Sequence, residues 1–348
     1  MGMLFYYRAN GENHVDDTFQ RLRLLEESLL ETLAIFYPLA GRYVEEGHFI
    51  DCNDQGVEFV HTKVYGQLDQ LLQGDWRSCD MDLHGRLSEF PLGLAGNPLV
   101  VIQANVLECG RLMISLHFTH KLGDACTMAT FMNSWATART RGIHELASPH
   151  FELSSLFPVM GPVQTQWLPS PSGVKFTLNR FIFSGAALSV VKLAVAKNAR
   201  VASVEVVCAL IINELAQGAF GNFYTVIVAR HTMDQNNLSF KAFVEVIHEM
   251  FSSAKTRFGA IADGEQAQGR VRSDEENMVV CSSWCGFPLY DVDFGWGKPA
   301  FVSNTCIPFR SILLIDSKSE GAIDAWISLS QEDKVLLEQD PDIVAFTS

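Results

Sequence analysis

His120-Lys121-Leu122-Gly123-Asp124 sets an imidazole and a carboxylate four residues apart, at the end of an apolar run. A histidine with an ordinary pKa near 6.5 offers a neutral ring at neutral pH, and such a ring takes a proton from a hydroxyl held within hydrogen-bond reach. The chemistry this spacing allows is general-base activation of a hydroxyl. Asp124 has two readings. It shapes the turn, as a helix N-cap or through an ion pair, or it orients the imidazole as a triad carboxylate does. Gly123 makes the intervening turn non-helical, so the four-residue step does not by itself bring the two side chains to one face. The spacing alone is a weak signal, and a strand-end histidine satisfied by backbone is the plain alternative for His120.

The flanking elements strengthen the case. Residues 100–106 and 112–119 are strand candidates joined by Glu108-Cys109-Gly110-Arg111, and a hairpin is the simplest reading. After Asp124 the period changes, and Met128, Phe131, Met132 and Trp135 form a helical stripe to about residue 139. The histidine thus stands where a strand hands over to a helix, and strand ends near domain boundaries are where ligand crevices form.

Upstream, residues 16–36 read as an amphipathic helix with Phe19, Leu22, Leu25, Leu29, Leu33 and Phe36 on one face, ended by Pro38 and Gly41. Strand-like pieces follow at Phe49-Ile50 and Val57–Val60, around the turn Asn53-Asp54-Gln55-Gly56, and 64–73 looks like a short helix. Residues 144–175 lose all periodicity and carry five prolines, which makes them the linker candidate. Beyond it, helices are expected near 185–198, 203–217 and 238–256. Strands are expected at 223–229, 278–284, 311–315 and 322–329, with a loop at 262–277 and a last helix from about 331. The organisation expected is a domain over 1–143, a linker over 144–175 and a domain over 176–348, in an α/β or α+β protein.

Composition narrows the function. Hydrophobic residues make up 48% and charged residues 19% of 348, enough apolar surface for sizeable cores. A net charge of −14 disfavours nucleic acid, whose phosphates need clustered Lys and Arg, and disfavours docking on an anionic membrane. The eight cysteines are scattered. Cys281 and Cys285 have no neighbouring His pair, so reduced thiols and no metal are expected. Nothing at the start reads as a signal peptide, Tyr6 stands where a myristoylation signal needs Ser or Thr, and no run approaches the ~20 apolar residues of a membrane helix. A cytoplasmic monomer is expected.

Gly295-Trp296-Gly297-Lys298-Pro299-Ala300 formally fits a dinucleotide fingerprint. That reading needs a helix after it, and Phe301-Val302 looks extended. Neither a GxSxG elbow nor a P-loop occurs.

The motifs resemble those of the plant BAHD acyltransferases. His120 to Asp124 looks like that family's HxxxD site, and Asp293-Phe294-Gly295-Trp296-Gly297 is its DFGWG motif unaltered. Phe36 to Arg42, Asp51 to Val57, and Ser282-Ser283-Trp284-Cys285 before Tyr290-Asp291-Val292 are similar too, most of all to the acetyl-CoA-dependent clade. The resemblance implies two chloramphenicol-acetyltransferase-like α/β domains with mixed sheets flanked by helices, and a channel between them with the histidine midway. It implies an O-acyltransferase in which acyl-CoA, acetyl-CoA first, acylates the hydroxyl of a small specialised metabolite. His120 would be the general base. Asp124 would be structural, turned away and paired with an arginine, and Asp293 to Gly297 would form a structural loop beside the CoA channel. Gly295, Trp296, Gly297 and Lys298 are the candidate cofactor-binding residues, with Lys298 the favoured phosphate contact. Lys255, Arg257 and Arg310 are further candidates.

Two departures stand against the pattern. The resemblance implies a Leu-Ser-x-Leu-Asp strand segment ahead of the position where residue 1 stands, and the 348 residues do not include it. Several tens of residues, with the arginine partner of Asp124 among them, are missing between Ala216 and Gly221. They motivate an alternative: a catalytically inactive relative that binds a ligand or partner.

Overall fold

A computed structural model describes residues 2–8, 15–65, 92, 94–108, 110–149, 151, 176–195, 203–204, 206–207, 221–223, 227–228, 248, 279–305 and 310–347. The helices expected over 238–256 (apart from residue 248) and over most of 64–73 and 203–217, the loop at 262–277, and Lys255 and Arg257 lie outside these residues. The linker is described only to residue 151, with a short 3₁₀ turn at Ile143–Glu145.

The described residues divide into two units. The first holds those up to 151 together with Phe287–Thr305, and the second holds the rest. The first unit contains β1 (Gly2–Tyr6), α1 (Val15–Ile35), β2 (Arg42–Val44), β3 (Phe49–Asp51), β4 (Glu58–Val64), β5 (Val100–Leu107), β6 (Leu112–Phe118) and α2 (Ala125–Arg141). The second contains β7 (Thr177–Phe183), α3 (Gly185–Val195), β8 (Gly221–Phe223), β9 (Ile227–Val228) and β10 (Val279–Ser283). The chain then returns to the first unit for β11 (Phe301–Asn304). It ends in the second with β12 (Ser311–Asp316), β13 (Ile323–Leu329), α4 (Gln331–Gln339) and α5 (Pro341–Phe346).

The first sheet has the order β11-β1-β6-β5-β4. It is antiparallel except for the parallel β4–β5 pair. β5 and β6 form the expected hairpin, with Gly110 in the loop at φ 73°. One sheet face takes the helices. Phe59 meets Trp135 of α2 edge-on at 6.4 Å, and His61 on the same face contacts Glu26 of α1 at 2.9 Å. The Trp135 indole N–H donates to the Leu25 carbonyl and to the Ser28 hydroxyl, both at 3.1 Å, which locks the two helices in register. Leu22, Leu25, Leu29, Leu33 and Phe36 are buried as expected, and so are Met128, Phe131, Met132 and Trp135. Phe19 is not: it is 70% exposed, because the stripe passes through the buried Thr18 instead. The short pair β2–β3 confirms the strand-like piece at Phe49-Ile50.

The second sheet has the order β7-β13-β12-β10-β8-β9, with β10 parallel to both β8 and β12. Its core gathers Phe181, Phe183, Leu188, Val191, Ile312, Leu314, Ile323, Ala325, Ile327, Leu329, Leu337 and Ile343. Both sheets are mixed and carry helices, as the resemblance implies.

One assignment needs correction. Residues 287–305, expected in the C-terminal domain together with Asp293–Gly297, belong to the first unit. The reason is backbone pairing: β11 hydrogen-bonds antiparallel to β1, in register from Met3↔Asn304 to Tyr6↔Phe301. The extended Phe301–Asn304 also removes the dinucleotide reading, which required a helix there.

Candidate active site

His120 opens the turn that follows β6. The Thr119 N–H donates to the Leu99 carbonyl at 3.0 Å, the Leu122 N–H to the Thr119 carbonyl at 3.1 Å, and the Lys121 N–H to the Thr119 hydroxyl at 3.4 Å. The strand end is therefore tied to its neighbour before the chain reverses. The imidazole is half-buried, and its pKa is lowered to about 4. Burial is the main cause, since it disfavours the charged ring, and the amino-terminal charge adds to it. The Asp124 charge and a backbone hydrogen bond at Gly123 oppose them. The ring is a neutral base throughout the physiological range.

Asp124 adopts extended backbone (φ −105°, ψ −173°) and caps α2. Its Oδ1 accepts from the Thr127 N–H at 2.9 Å and from the Thr127 hydroxyl at 3.0 Å. Among the described residues no arginine pairs with it. Gly123 is fixed by the same contact: a Cβ there would lie 2.8 Å from Thr127 Oγ1 and 2.9 Å from its Cγ2. The sequence reading passed over Thr127. Its only signal was indirect: Asp is a preferred N-cap residue, and Thr127 is the third helical residue, whose N–H such a cap accepts from.

Lys121, between His120 and Gly123, sits with its ammonium 3.7 Å from the centroid of the Tyr43 ring on β2. The Tyr43 hydroxyl is 2.7 Å from His48 Nδ1. Neither tyrosine nor lysine was a candidate from sequence.

The DFGWG segment is a self-closed loop. Asp293 Oδ1 accepts from the N–H groups of Gly295 (2.8 Å) and Gly297 (2.9 Å), and the two glycines take φ 94° and 100°, where a Cβ is strained. The residues between face protein. Phe294 and Trp296 stack at 5.7 Å. Phe294 meets Trp135 at 4.7 Å, and Tyr7, just after β1, meets both rings edge-on. The Tyr7 hydroxyl donates to the Val292 carbonyl at 3.0 Å, and burial first, then Asp293, holds it well above the ordinary phenol range. The guanidinium groups of Arg21 and Arg139 lie 5.7 and 6.0 Å from the Trp296 centroid. Trp296 is thus a buried packing residue of the first unit. Lys298 is exposed and pairs with Asp291 at 2.6 Å. Arg310 is engaged by Asp333 through two hydrogen bonds of 2.7 and 2.8 Å, at the start of α4. Among the described residues no group of His, Cys, Asp or Glu gathers as a metal-ligand set, and no helix is long and apolar enough to cross a membrane.

Two mixed α/β units, with His120 at a strand end in the first, are the features to compare with known proteins. A crystal structure of vinorine synthase matches with TM-score 0.73 at 23% identity, over 100% of this chain and 90% of that one. F. sporotrichioides TRI101 complexed with coenzyme A and T-2 matches with TM-score 0.68 at 15% identity, over 100% and 95%. At the level of sequence, the Transferase family profile matches residues 1–211 and 209–343. An acetyl-CoA-benzylalcohol acetyltransferase of Clarkia breweri is 32% identical, over 100% of this chain and 92% of that protein. The chain belongs to the Transferase family, the plant BAHD acyltransferases, and is an acyltransferase. The Clarkia alignment spans 409 positions against 348 residues, and the profile breaks at 209–211, close to the shortening expected between Ala216 and Gly221.

Proposed function

We propose that this chain transfers an acyl group, acetyl first, from coenzyme A to the hydroxyl of a small specialised metabolite, with His120 as the general base. The observation that carries the reading is a half-buried imidazole held neutral at the end of β6. The acceptor hydroxyl gives its proton to that ring as its oxygen attacks the thioester carbonyl. The tetrahedral oxyanion collapses, the carbon–sulfur bond breaks, and the departing thiolate takes the proton back from the imidazolium. Asp124 keeps the turn in shape and does not orient the ring. Lys298 exchanges its exposed Asp291 partner for a CoA phosphate, since a solvated pair of this kind holds weakly. Gly295, Trp296 and Gly297 act through the loop that presents it.

The Clarkia relative, whose name gives acetyl-CoA and benzyl alcohol, supports acetyl as the first donor to test. The test is thiol release from acetyl-CoA in the presence of a panel of small alcohols, benzyl alcohol included. Acceptor-dependent release supports the reading. A rise in melting temperature with acetyl-CoA but no release across the panel would instead favour the inactive, ligand-binding alternative.

A further inference from the structure

The turn that carries His120 is fastened to a second element that no motif marks. Lys121 lies half-buried with its ammonium over the Tyr43 ring, and Tyr43 is itself 7% exposed in the β2–β3 hairpin. That hairpin is anchored in turn. The Arg42 guanidinium donates to the carbonyls of Gly41 (2.8 Å) and Gly56 (2.7 Å), and a Cβ on Gly41 would stand 2.5 Å from the Asp51 carbonyl. A desolvated cation over an aromatic face is held more firmly than an exposed one. Backbone hydrogen bonds join His120's turn to Leu99 and Thr119, and the Lys121 side chain joins it to the hairpin.

We propose that Tyr43 is a positioning residue for the base, acting through Lys121: the hairpin clamps the turn and keeps water from the imidazole. This rests on His120 being the base. Misplacing a reacting group by 1 Å is worth up to ~10²-fold in rate, so the clamp bears on kcat more than on donor KM. Asp124 and the amino-terminal charge act on the ring, and the Lys121 ammonium is a further cation one residue on, so the Tyr43 variants, which alter no charge, carry the titration test.

The experiment is NMR titration of His120 in the full chain, with steady-state kinetics alongside. Tyr43→Leu is expected to move the His120 pKa upward from about 4, toward the ordinary ~6.5, and to lower kcat about tenfold with donor KM within about twofold. Tyr43→Phe keeps the ring and is expected to titrate as the parent does. Lys121→Met is expected to lower kcat about tenfold as well, with Lys121→Arg near the parent, and this pair, read in kcat because loss of the Lys121 charge moves the ring's pKa by itself, decides the matter if Tyr43→Leu fails to fold. A parent-like His120 titration in folded Tyr43→Leu, or a parent-like kcat in Lys121→Met, overturns the proposal. That outcome is separate from failure of the base assignment, which appears as full activity in His120→Ala whatever the titration shows.

Discussion

Asp124 and Thr127 are joined twice: one carboxylate oxygen takes both the amide and the hydroxyl of the threonine three residues on. The carboxylate of the HxxxD motif is spent on the first turn of α2. Asp124→Ala is therefore expected to cost about 1 kcal/mol of stability, within the range for a lost N-cap, and Asp124→Asn to keep most of both stability and rate. Chemical denaturation with parallel kinetics checks this. A loss in Asp124→Asn as deep as that of a His120 variant would restore the triad role.

Gly123 belongs to the same arrangement. A methyl group there collides with Thr127, whose side chain is already held by Asp124. Gly123→Ala is expected to lose activity, and Gly123→Ala with Thr127→Ala, which removes the colliding Oγ1 and Cγ2 and leaves only the Cβ contact, to regain part of it.

The Asp293 loop yields a stability prediction with little chemistry in it. One oxygen serves two amides whose residues have positive φ. Asp293→Ala should cost about 2 kcal/mol, the worth of charge-assisted hydrogen bonds. Gly297→Ala should cost ~1–3 kcal/mol from backbone strain. Melting curves report both.

How much of this was legible beforehand depends on the distance over which each feature is encoded. The α1 stripe, the β5–β6 hairpin, the α2 stripe and the strand-to-helix switch at His120 are local periodicities, and they were readable. Phe19 misled because an apolar residue at the right step still misses a stripe that passes through Thr18. β1 was missed because all five of its residues are buried, so it has no alternation to detect. β7 was missed beside the proline-rich stretch. The return of β11 to the first sheet was invisible, since its partner β1 lies at the other end of the chain. The place of His120 just after the end of β6 was readable from type and context. Tyr43 was not, because its contact with Lys121 is made across the fold. Lys298 and Arg310 were chosen as charges, and a sequence does not display Asp291 and Asp333 as the partners that engage them.

In the second unit, Arg180 and Asp324 form an ion pair of 2.7 Å between β7 and β13, with Asp324 1% exposed. The arginine draws the carboxyl pKa down, yet burial outweighs it and the net shift is upward. Removing one partner leaves a buried charge, so Arg180→Met should cost about 3–5 kcal/mol, and adding Asp324→Leu should return most of it. A carboxyl whose folded pKa is raised binds its proton more readily folded than unfolded. The Arg180→Met deficit should therefore shrink as pH falls, which denaturation at a series of pH values measures.

The His120 titration gives the activity its own pH signature. A base with a folded pKa of about 4 stays unprotonated down to that pH. The acid limb of kcat/KM should then fall near pH 4, and an unperturbed histidine would place it near the ordinary ~6.5. A limb at the higher value would mean that the ring is solvated in the working enzyme.

The most direct test is the rate of acetyl transfer by His120→Ala, with its fold verified, against the parent at saturating donor and acceptor. The account predicts a loss of about 10²–10⁴-fold, the worth of a general base. Turnover at the parent rate would contradict it.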